Sequence, residues 1–123
     1  MGKVSKESAS KVESMEGFEG RYEEFDGYLI GFESFSEGGD FTPFFKGLSN
    51  DQCQSAHWGY VFKGTLTIHR DDGDEVMQAG DAYYAPPGHT GEVAPGTEIL
   101  EISPAEDYAK TMEVVARNIE EMS

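Results

Sequence analysis

The sequence predicts an all-β fold, a barrel or a sandwich of short strands, followed by one C-terminal helix. From about Phe25 to Ile102, short segments carry β-forming residues at every second position, as half-buried strands do. Turn residues interrupt these segments every eight to twelve residues or so, at about the spacing found in sandwiches and barrels. After Ser103 the apolar spacing changes to alternating steps of four and three, which indicates a helix.

Residues 1–45 contain a polar segment and then two aromatic ones. Residues 1–20 carry scattered charges and predict a tail or arm, so residues 21–123 form the predicted barrel with its helix. A strand is predicted from the alternation of Tyr28, Ile30 and Phe32. After a Gly-Gly-Asp turn, a second aromatic strand is predicted from Phe41 to Phe45, and Pro43 indicates that it lies at an edge or a bend.

The middle of the chain is dense in predicted strands. Leu66 and Ile68 occupy one face of their segment, while Thr65, Thr67 and His69 occupy the other. Glycine-containing turns separate the segments. The predicted strands are His57 to Phe62, Thr65 to Arg70, Glu75 to Gln78, Ala82 to Ala85, Glu92-Val93 and Ile99 to Ile102.

The C-terminal segment has the start signal and the apolar pattern of a helix. Ser103-Pro104-Ala105-Glu106 fits a capping box with Pro at the first helical position, which predicts a helix from about Pro104 to Met122. Its apolar stripe is predicted to pack on the barrel or on a partner subunit. The stripe consists of Tyr108, Met112, Val115, Ile119 and Met122.

Charge and composition limit the partners of the protein. The formal net charge of −15 repels phosphate backbones and anionic lipids, so we expect neither nucleic acid nor membrane surfaces as partners. No apolar run approaches the length of about 18 residues that a membrane span needs. The single Cys cannot form an internal disulfide, which fits a reducing compartment, and we expect the protein to be cytoplasmic.

The segment of residues 51–103 resembles the cupins, the double-stranded β-helix or RmlC-like jelly-roll family. The second cupin motif is matched in full by Gly80, Pro86 and Gly88, but Gly91 stands where its metal-binding His is expected. Gly64 matches the end of the first motif, whose ligand positions are occupied by Asp51, Cys53 and His57. The pattern C-Q-x-x-H-x-G-Y-V with P-P-G-H is similar to a group of small, mostly uncharacterised bacterial single-domain cupins.

The resemblance implies a metal site inside the barrel. Residues two apart in a strand share a face, so Asp51, Cys53 and His57 are expected to point inward if the strand is regular. His89 lies two residues before the usual His position and keeps its facing. We therefore expect Cys53, His57 and His89 as ligands, with Asp51 as a candidate fourth. Thiolate and imidazole favour Zn, Fe, Ni or Cu, and no organic cofactor is expected.

Simpler interpretations of these residues stay open. A lone Cys is commonly packing, while His57 could be a core histidine and His89 a turn residue. A Cys with a His could also form a thiol nucleophile, but no third group that would orient the imidazole is identifiable in the sequence. If a metal binds, its affinity is expected to fall below about pH 6, near the ordinary pKa of His.

Other side chains bear on the surface and on assembly. His69 is predicted to be exposed, Trp58 to pack between sheets or at a dimer contact, and either Tyr83 or Tyr84 to line the barrel. A homodimer is expected because cupins commonly pair and because the aromatic load exceeds what one small core needs. The residues behind this expectation are Phe25, Phe32, Phe35, Phe41, Phe44 and Phe45.

Three classes of function follow from the sequence. The first is a metal-dependent enzyme of the oxygenase, isomerase or lyase type that acts on a small organic molecule. The second is a metal-free module that binds or senses a small ligand, and the third is a structural homodimer with a filled barrel. The fold alone does not choose among these classes, because one fold hosts many chemistries. We favour the first class.

Overall fold

A computed structural model describes residues 1–122 of the chain. In this range ten β-strands precede one α-helix, and two short 3-10 helices, Thr42–Phe45 and Ser49–Asp51, lie between the fourth and fifth strands. The strands are β1 Lys11–Met15, β2 Phe18–Phe25, β3 Tyr28–Phe35, β4 Gly39–Asp40, β5 His57–Lys63, β6 Thr65–Arg70, β7 Gly73–Gln78, β8 Ala82–Ala85, β9 Thr90–Val93 and β10 Thr97–Pro104. The helix, α1, spans Ala105–Met122.

The strands form two antiparallel sheets. The larger sheet has the order β1-β2-β3-β10-β5-β8, and the smaller one has the order β4-β9-β6-β7. Buried residues from both sheets contact one another in a single core, so the sheets pack face to face as a jelly roll. This core consists of Val61, Leu66, Ile68, Met77, Tyr83, Ala85, Val93 and Ile99. The predicted all-β jelly-roll barrel with a C-terminal helix is confirmed.

The predicted strands of the middle segment lie close to their observed bounds. On β6, Leu66 and Ile68 are buried, whereas Thr65, Thr67 and His69 are half-buried, as the alternation predicts. The glycine turns also fit, because Gly64 and Gly80 have φ values of 81° and 98° that L-residues with side chains rarely adopt. Local pattern therefore placed this part of the barrel correctly.

Two predictions for the N-terminal region differ from the structure. The segment from Phe41 to Phe45 is not a strand, since residues Thr42–Phe45 form a 3-10 helix with Pro43 in its first turn. Proline fits that turn because its φ is already helical and its missing N–H has no partner to lose there. The predicted arm of residues 1–20 contains β1, whose residues are all exposed, and the first three residues of β2, so the sheet begins earlier than expected.

The C-terminal helix begins one residue later than its capping box predicts. Ser103 and Pro104 belong to β10, and the Ser103 side chain bonds inside the barrel instead of capping α1. The buried residues of α1 are Thr111, Val115 and Asn118, so its packed face is rotated from the predicted stripe, of which Met122 is 54% exposed. Asn118 connects α1 to the first 3-10 helix and the residue after it, because its Nδ2 donates to Phe44 O and Lys46 O at 2.7 and 2.8 Å.

The larger sheet has a polar inner face and an apolar outer face along β3. Glu33 pairs with the buried Ile99 of β10, so its carboxyl points into the barrel. Phe32 therefore points outward, on the same face as Leu100 and Tyr60 in the neighbouring strands. Among residues 1–122, no helix combines the length and the apolar character that crossing a membrane requires.

Candidate metal centre

Cys53, His57 and His89 come together at one end of the barrel. Cys53 lies in the segment before β5, His57 is the first residue of β5, and His89 immediately precedes β9. Their exposed fractions are 2%, 7% and 3%, so all three are buried. One possible ligand atom from each residue lies within 4.8 Å of the other two, and Cys53 Sγ is 3.5 Å from His57 Nε2.

Backbone pairing brings the two loop residues of this group together. Cys53 donates its N–H to His89 O at 2.8 Å, and Cys53 O accepts from Gly88 N at 2.8 Å. Gly88 has a φ of 88°, which makes the turn after Pro86-Pro87 possible. The rings of His57 and His89 lie 5.0 Å apart between centroids, at an interplanar angle of 70°.

Asp51 does not join this group. Asn50 and Asp51 both have a φ of 56°, so the chain bends and no regular strand extends upstream of Cys53. The Asp51 carboxylate is exposed and accepts the Gly47 N–H at 2.9 Å. The expectation that Asp51 points inward assumed period-two facing, which fails where two consecutive residues adopt left-handed backbone.

The hydrogen-bond partners of the two imidazoles set their tautomers. His89 Nδ1 lies 2.7 Å from Pro86 O, and since a carbonyl can only accept, Nδ1 carries the proton and Nε2 keeps its lone pair. His57 Nδ1 lies 2.7 Å from Ser103 Oγ and 3.2 Å from Glu101 Oε1. Its Nε2 therefore faces the thiol. Metal-binding histidines have the same arrangement, in which one ring nitrogen binds the metal and the other contacts a carboxylate.

The donor geometry fits a tetrahedral transition-metal ion. With Zn–S near 2.3 Å and Zn–N near 2.0–2.1 Å, the two donor atoms of one tetrahedron lie about 3.6 Å apart. The observed separation between Cys53 Sγ and His57 Nε2 is 3.5 Å. One ligand atom of His89 also lies within 4.8 Å of those of the other two residues. Three protein ligands would leave a fourth position open, as in catalytic zinc sites.

Burial makes all three side chains neutral at pH 7. Burial lowers the pKa of His57 to about 4. Burial, assisted by the neighbouring His57, also lowers the pKa of His89 to about 4. The pKa of the Cys53 thiol is raised to about 11, again mainly by burial. The imidazoles are therefore ready to bind a metal, whereas the thiol must first lose its proton.

Two half-buried carboxyl groups lie next to this site. Burial raises the pKa of Glu33 to about 8, with the Glu101 charge adding to the effect. Burial also raises the pKa of Glu101 to about 7. Tyr22 donates its hydroxyl to Glu33 Oε2 at 2.7 Å. Sequence reasoning missed this pair, although the alternation Ile99, Glu101, Ser103 along β10 already places all three on the inner face.

Glycines make room for the polar interior. A Cβ at Gly31 would meet the Tyr22 ring at 2.7 Å, and a side chain at Gly59 would overlap the Tyr83 ring. Both rings therefore lie against the inner face of the larger sheet, on either side of Glu101 in the paired strands. The Tyr83 hydroxyl is buried and has no hydrogen-bond partner among the described residues.

The structure changes the argument about a thiol nucleophile. Glu101 supplies the third group that the sequence did not reveal, since its carboxylate contacts His57, which in turn contacts Cys53. A nucleophilic Cys needs a thiolate and access to its substrate. Cys53 is 2% exposed, and burial raises the pKa of its thiol to about 11, so it lacks both properties.

The sequence also predicts the positions of two tyrosines, a tryptophan and a third histidine. Tyr83 lines the barrel and Tyr84 faces outward, where its ring lies 5.3 Å from that of Trp58, which is 45% exposed. His69 is less exposed than predicted, with 34% of its side chain accessible, and its Nδ1 lies 2.9 Å from the Asp74 carboxylate. None of these three outer residues contributes to the Cys53, His57 and His89 group.

Solved structures match the chain over most of its length. A Rhizobium leguminosarum protein of unknown function is 18% identical, with a TM-score of 0.61 over 84% of this chain and 95% of that one. The Streptomyces resistomycificus polyketide cyclase RemF is 18% identical, with a TM-score of 0.60 over 85% and 80%. An RmlC-like cupin from Shewanella frigidimarina is 22% identical, with a TM-score of 0.54 over 77% and 84%.

At these identities the matches establish the fold and nothing finer. No protein-family model and no curated protein matches the sequence. The two facing antiparallel sheets of this chain are consistent with a cupin jelly roll. The fold of this chain is therefore that of a small RmlC-like cupin.

Proposed function

We propose that the protein binds one transition-metal ion through Cys53 Sγ, His57 Nε2 and His89 Nε2. The observation that carries this proposal is the convergence of three buried donor atoms, within 4.8 Å of one another, in a barrel interior. Thiolate and imidazole donors suit Zn, Fe, Ni or Cu, and the sulfur–nitrogen separation is close to that of a zinc tetrahedron. Because Cys53 serves as a thiolate, the proposal places the protein in a reducing compartment such as the cytoplasm.

The surrounding side chains support a catalytic rather than a purely structural centre. Structural zinc sites use four protein ligands, whereas three donors leave a position for water or substrate. A metal at such a position supplies Lewis acidity and lowers the pKa of a bound water. Glu101 and Ser103 orient His57, and the Pro86 carbonyl orients His89, so both imidazoles are held for binding. We infer a metal-dependent enzyme that acts on a small organic molecule.

A second candidate is a metal-free module that binds a small polar molecule. The observation in its favour is the Tyr83 hydroxyl, which is buried inside the barrel without a partner in the described residues. A buried hydroxyl without a hydrogen bond is unfavourable, so a bound ligand that supplies one would be stabilised there. Metal content distinguishes this candidate from the first.

The test is metal analysis of untagged protein after incubation with Zn, Fe, Ni and Cu separately. We expect about one ion per chain in the wild type, and loss of the ion in His57→Ala and in His89→Ala. His69→Ala is the matched control, because His69 lies on the outer face of β6, paired with Asp74. Far-UV circular dichroism verifies that each variant keeps its strands. A wild type that retains none of the four metals would contradict the proposal and favour the metal-free module.

We also propose that the protein is a homodimer, paired through the outer face of the larger sheet. Phe35 and Phe41 pack against the core, so the predicted aromatic excess is partly used inside the fold. The outer face nevertheless carries two apolar rows, Phe32–Leu100–Tyr60 and Ile30–Ile102–Trp58–Tyr84. A second copy presents the same rows, so two copies could bury them symmetrically.

Sedimentation velocity tests this pairing. We expect a dimer of the 13.5 kDa chain in the wild type and a monomer for Tyr60→Glu, which places a charge in the middle of the apolar rows. Val76→Glu is the control, because Val76 is 53% exposed but lies on β7 in the other sheet. A wild type that sediments as a monomer at micromolar concentration refutes the pairing.

A further inference from the structure

Arg70 lies on the inner face of the barrel beside the candidate metal centre. It is the last residue of β6 and follows the buried Leu66 and Ile68 at two-residue steps. In the pairing of β6 with β9, Ile68 is opposite Gly91 and His69 is opposite Thr90, so the next position along places Arg70 beside His89. Besides burial and the neighbouring His57, the Arg70 charge contributes to the lowered pKa of His89.

The guanidinium of Arg70 is only partly satisfied. Its Nε is buried and has no hydrogen-bond partner in the part of the chain that the structure describes. Its Nη1 lies 3.3 Å from Asp72 Oδ2, but the Asp72 side chain is 76% exposed, and exposed ion pairs of this kind contribute little. A buried N–H of a charged group without an acceptor is costly, so this position favours a ligand that brings an acceptor.

A polar cleft of about 380 Å³ opens at this guanidinium. Two of its residues, Gln52 and Gln54, flank Cys53 in sequence, and Gly88 precedes His89, so the cleft is built on the same chain segments that carry the candidate ligands. The two glutamine amides of the cleft already donate hydrogen bonds, Gln52 Nε2 to Asp71 Oδ1 at 3.1 Å and Gln54 Nε2 to Ser49 O at 2.9 Å. Asn50, Arg70, Asp71 and Asp72 complete the lining.

We propose that this cleft binds the carboxylate of a small organic acid through Arg70. A carboxylate supplies two acceptors for the planar guanidinium fork, and one of them would reach the unpartnered Nε. Asp72 would turn away into solvent, where it is already largely exposed. A cation would instead face the Arg70 charge and leave Nε without an acceptor. The two carboxylates at the rim, Asp71 and Asp72, therefore do not make this a cation site.

The inference rests on the proposed function in one respect. Held at Arg70, the acid would direct the rest of its structure toward Cys53, His57 and His89, and this direction matters for chemistry if a metal binds there. Recognition of the carboxylate itself does not depend on the metal. The two ideas can therefore fail separately, and the experiment measures them separately.

Arginine Nε–H resonances in a ¹H–¹⁵N correlation spectrum report directly on the proposed contact. The chain contains three arginines, Arg21, Arg70 and Arg117, which single substitutions assign. Acetate and benzoate are the probes, each added to tens of millimolar with and without zinc, while benzamide and sodium chloride serve as neutral and ionic controls. We expect benzoate and acetate to shift the Arg70 Nε–H signal in a saturable manner. Benzamide and chloride should leave this signal unchanged.

Substitutions separate a specific contact from general attraction. Arg70→Gln should weaken benzoate binding about 10- to 100-fold, the usual loss for charge-assisted hydrogen bonds, and Arg70→Lys should recover part of it. Arg117→Gln, at an exposed position of α1, should bind benzoate as the wild type does. Asp72→Asn should bind it more tightly, because the competing carboxylate is removed. Zinc content should be unchanged in all four variants.

Several results would overturn the inference. An Arg70 signal that neither probe shifts, or benzoate binding that Arg70→Gln leaves intact, shows that this cleft does not recognise carboxylates. Weaker binding in Asp72→Asn would show that Asp72 belongs to the binding site rather than competing with it. If benzoate binds at Arg70 and no metal is retained, the inference stands and the proposed metal function fails.

Discussion

Metal affinity should depend on pH through the Cys53 thiol and not through the histidines. Because burial lowers the pKa of His57 and of His89 to about 4, both imidazoles are already neutral at pH 6. The thiol, with a pKa raised to about 11, is still protonated at pH 8. A bound ion takes Cys53 as a thiolate, so binding displaces one proton across this range.

The expected magnitude follows from that proton. One displaced proton changes the dissociation constant about tenfold per pH unit, so zinc should bind about 100-fold more tightly at pH 8 than at pH 6. Rising pH favours binding because fewer protons compete for the thiolate. Histidine protonation should add no further weakening just below pH 6, since burial shifts both imidazole pKa values to about 4.

Glu101 adds a second, smaller contribution. An ion on Nε2 of His57 makes the Nδ1–H a stronger donor to Glu101 Oε1, which lies 3.2 Å away, and this favours the carboxylate. Burial raises the pKa of Glu101 to about 7, so binding below pH 7 should displace part of a second proton. The slope of log affinity against pH should therefore lie between one and two there, and return to one in Glu101→Gln.

Competition with a chelator measures the zinc affinity from about pH 5.5 to 8.5, and calorimetry in buffers of different ionisation enthalpy counts the protons. Glu98→Gln is the matched control, because Glu98 lies on the same strand but pairs with Lys6 and Lys63 at the surface. A slope of two or more that persists in Glu101→Gln below pH 6.5 would show that the imidazoles are protonated. A slope near zero would show that the thiolate exists before the metal binds. Either result refutes the reasoning.

Three further predictions concern stability, each measured by denaturant unfolding of the metal-free protein. Gly59→Ala should destabilise the fold by about 1–3 kcal/mol because the new Cβ overlaps the Tyr83 ring; an unchanged midpoint would contradict this packing. Asn118→Ala should lower the free energy of unfolding by about 1–3 kcal/mol, since two part-buried hydrogen bonds to Phe44 O and Lys46 O are lost; an unchanged free energy of unfolding would show that these bonds are dispensable. Glu33 has its pKa raised from 4.5 to about 8, so the folded state holds the proton more tightly. Wild-type stability should fall as pH rises from about 5 to 8, by at most about 5 kcal/mol from this group, and Glu33→Gln should reduce the dependence.

The strands and the turns of the barrel could be predicted because their signals are local. Apolar side chains at every second position indicate a strand, as in β6, where Leu66 and Ile68 are buried. Glycine indicates a tight turn, as at Gly64 and Gly80, whose positive φ values exclude most other residues. The prediction that Cys53 and His57 point to the same side rests on the same two-residue alternation, although Cys53 lies outside the ten strands.

The contact between the two carboxyl groups of the interior could not be predicted in the same way, because it depends on which strands become neighbours. Glu33 and Glu101 are 68 positions apart by their numbers, and they lie close together only because β3 pairs with β10. A Glu in an alternating strand is ordinarily assigned to the solvent face. Its burial becomes tolerable where a raised pKa keeps the carboxyl neutral and where Tyr22 donates a hydrogen bond.

The sequence by itself determined the all-β class and the strand positions of the middle segment, because these depend on a few neighbouring positions, while the resemblance to the cupins pointed to the three residues that converge. The tertiary structure decided the rest. Ser103 looked like a helix cap, but β10 extends past it and its hydroxyl bonds to His57. Asp51 looked like a ligand, but left-handed backbone at Asn50 and Asp51 turns it to the surface. For Ser103 a contact with a distant strand competes with the local pattern, and such a contact exists only once the sheets have packed. For Asp51 the cause is a local backbone bend that two-residue alternation does not reveal.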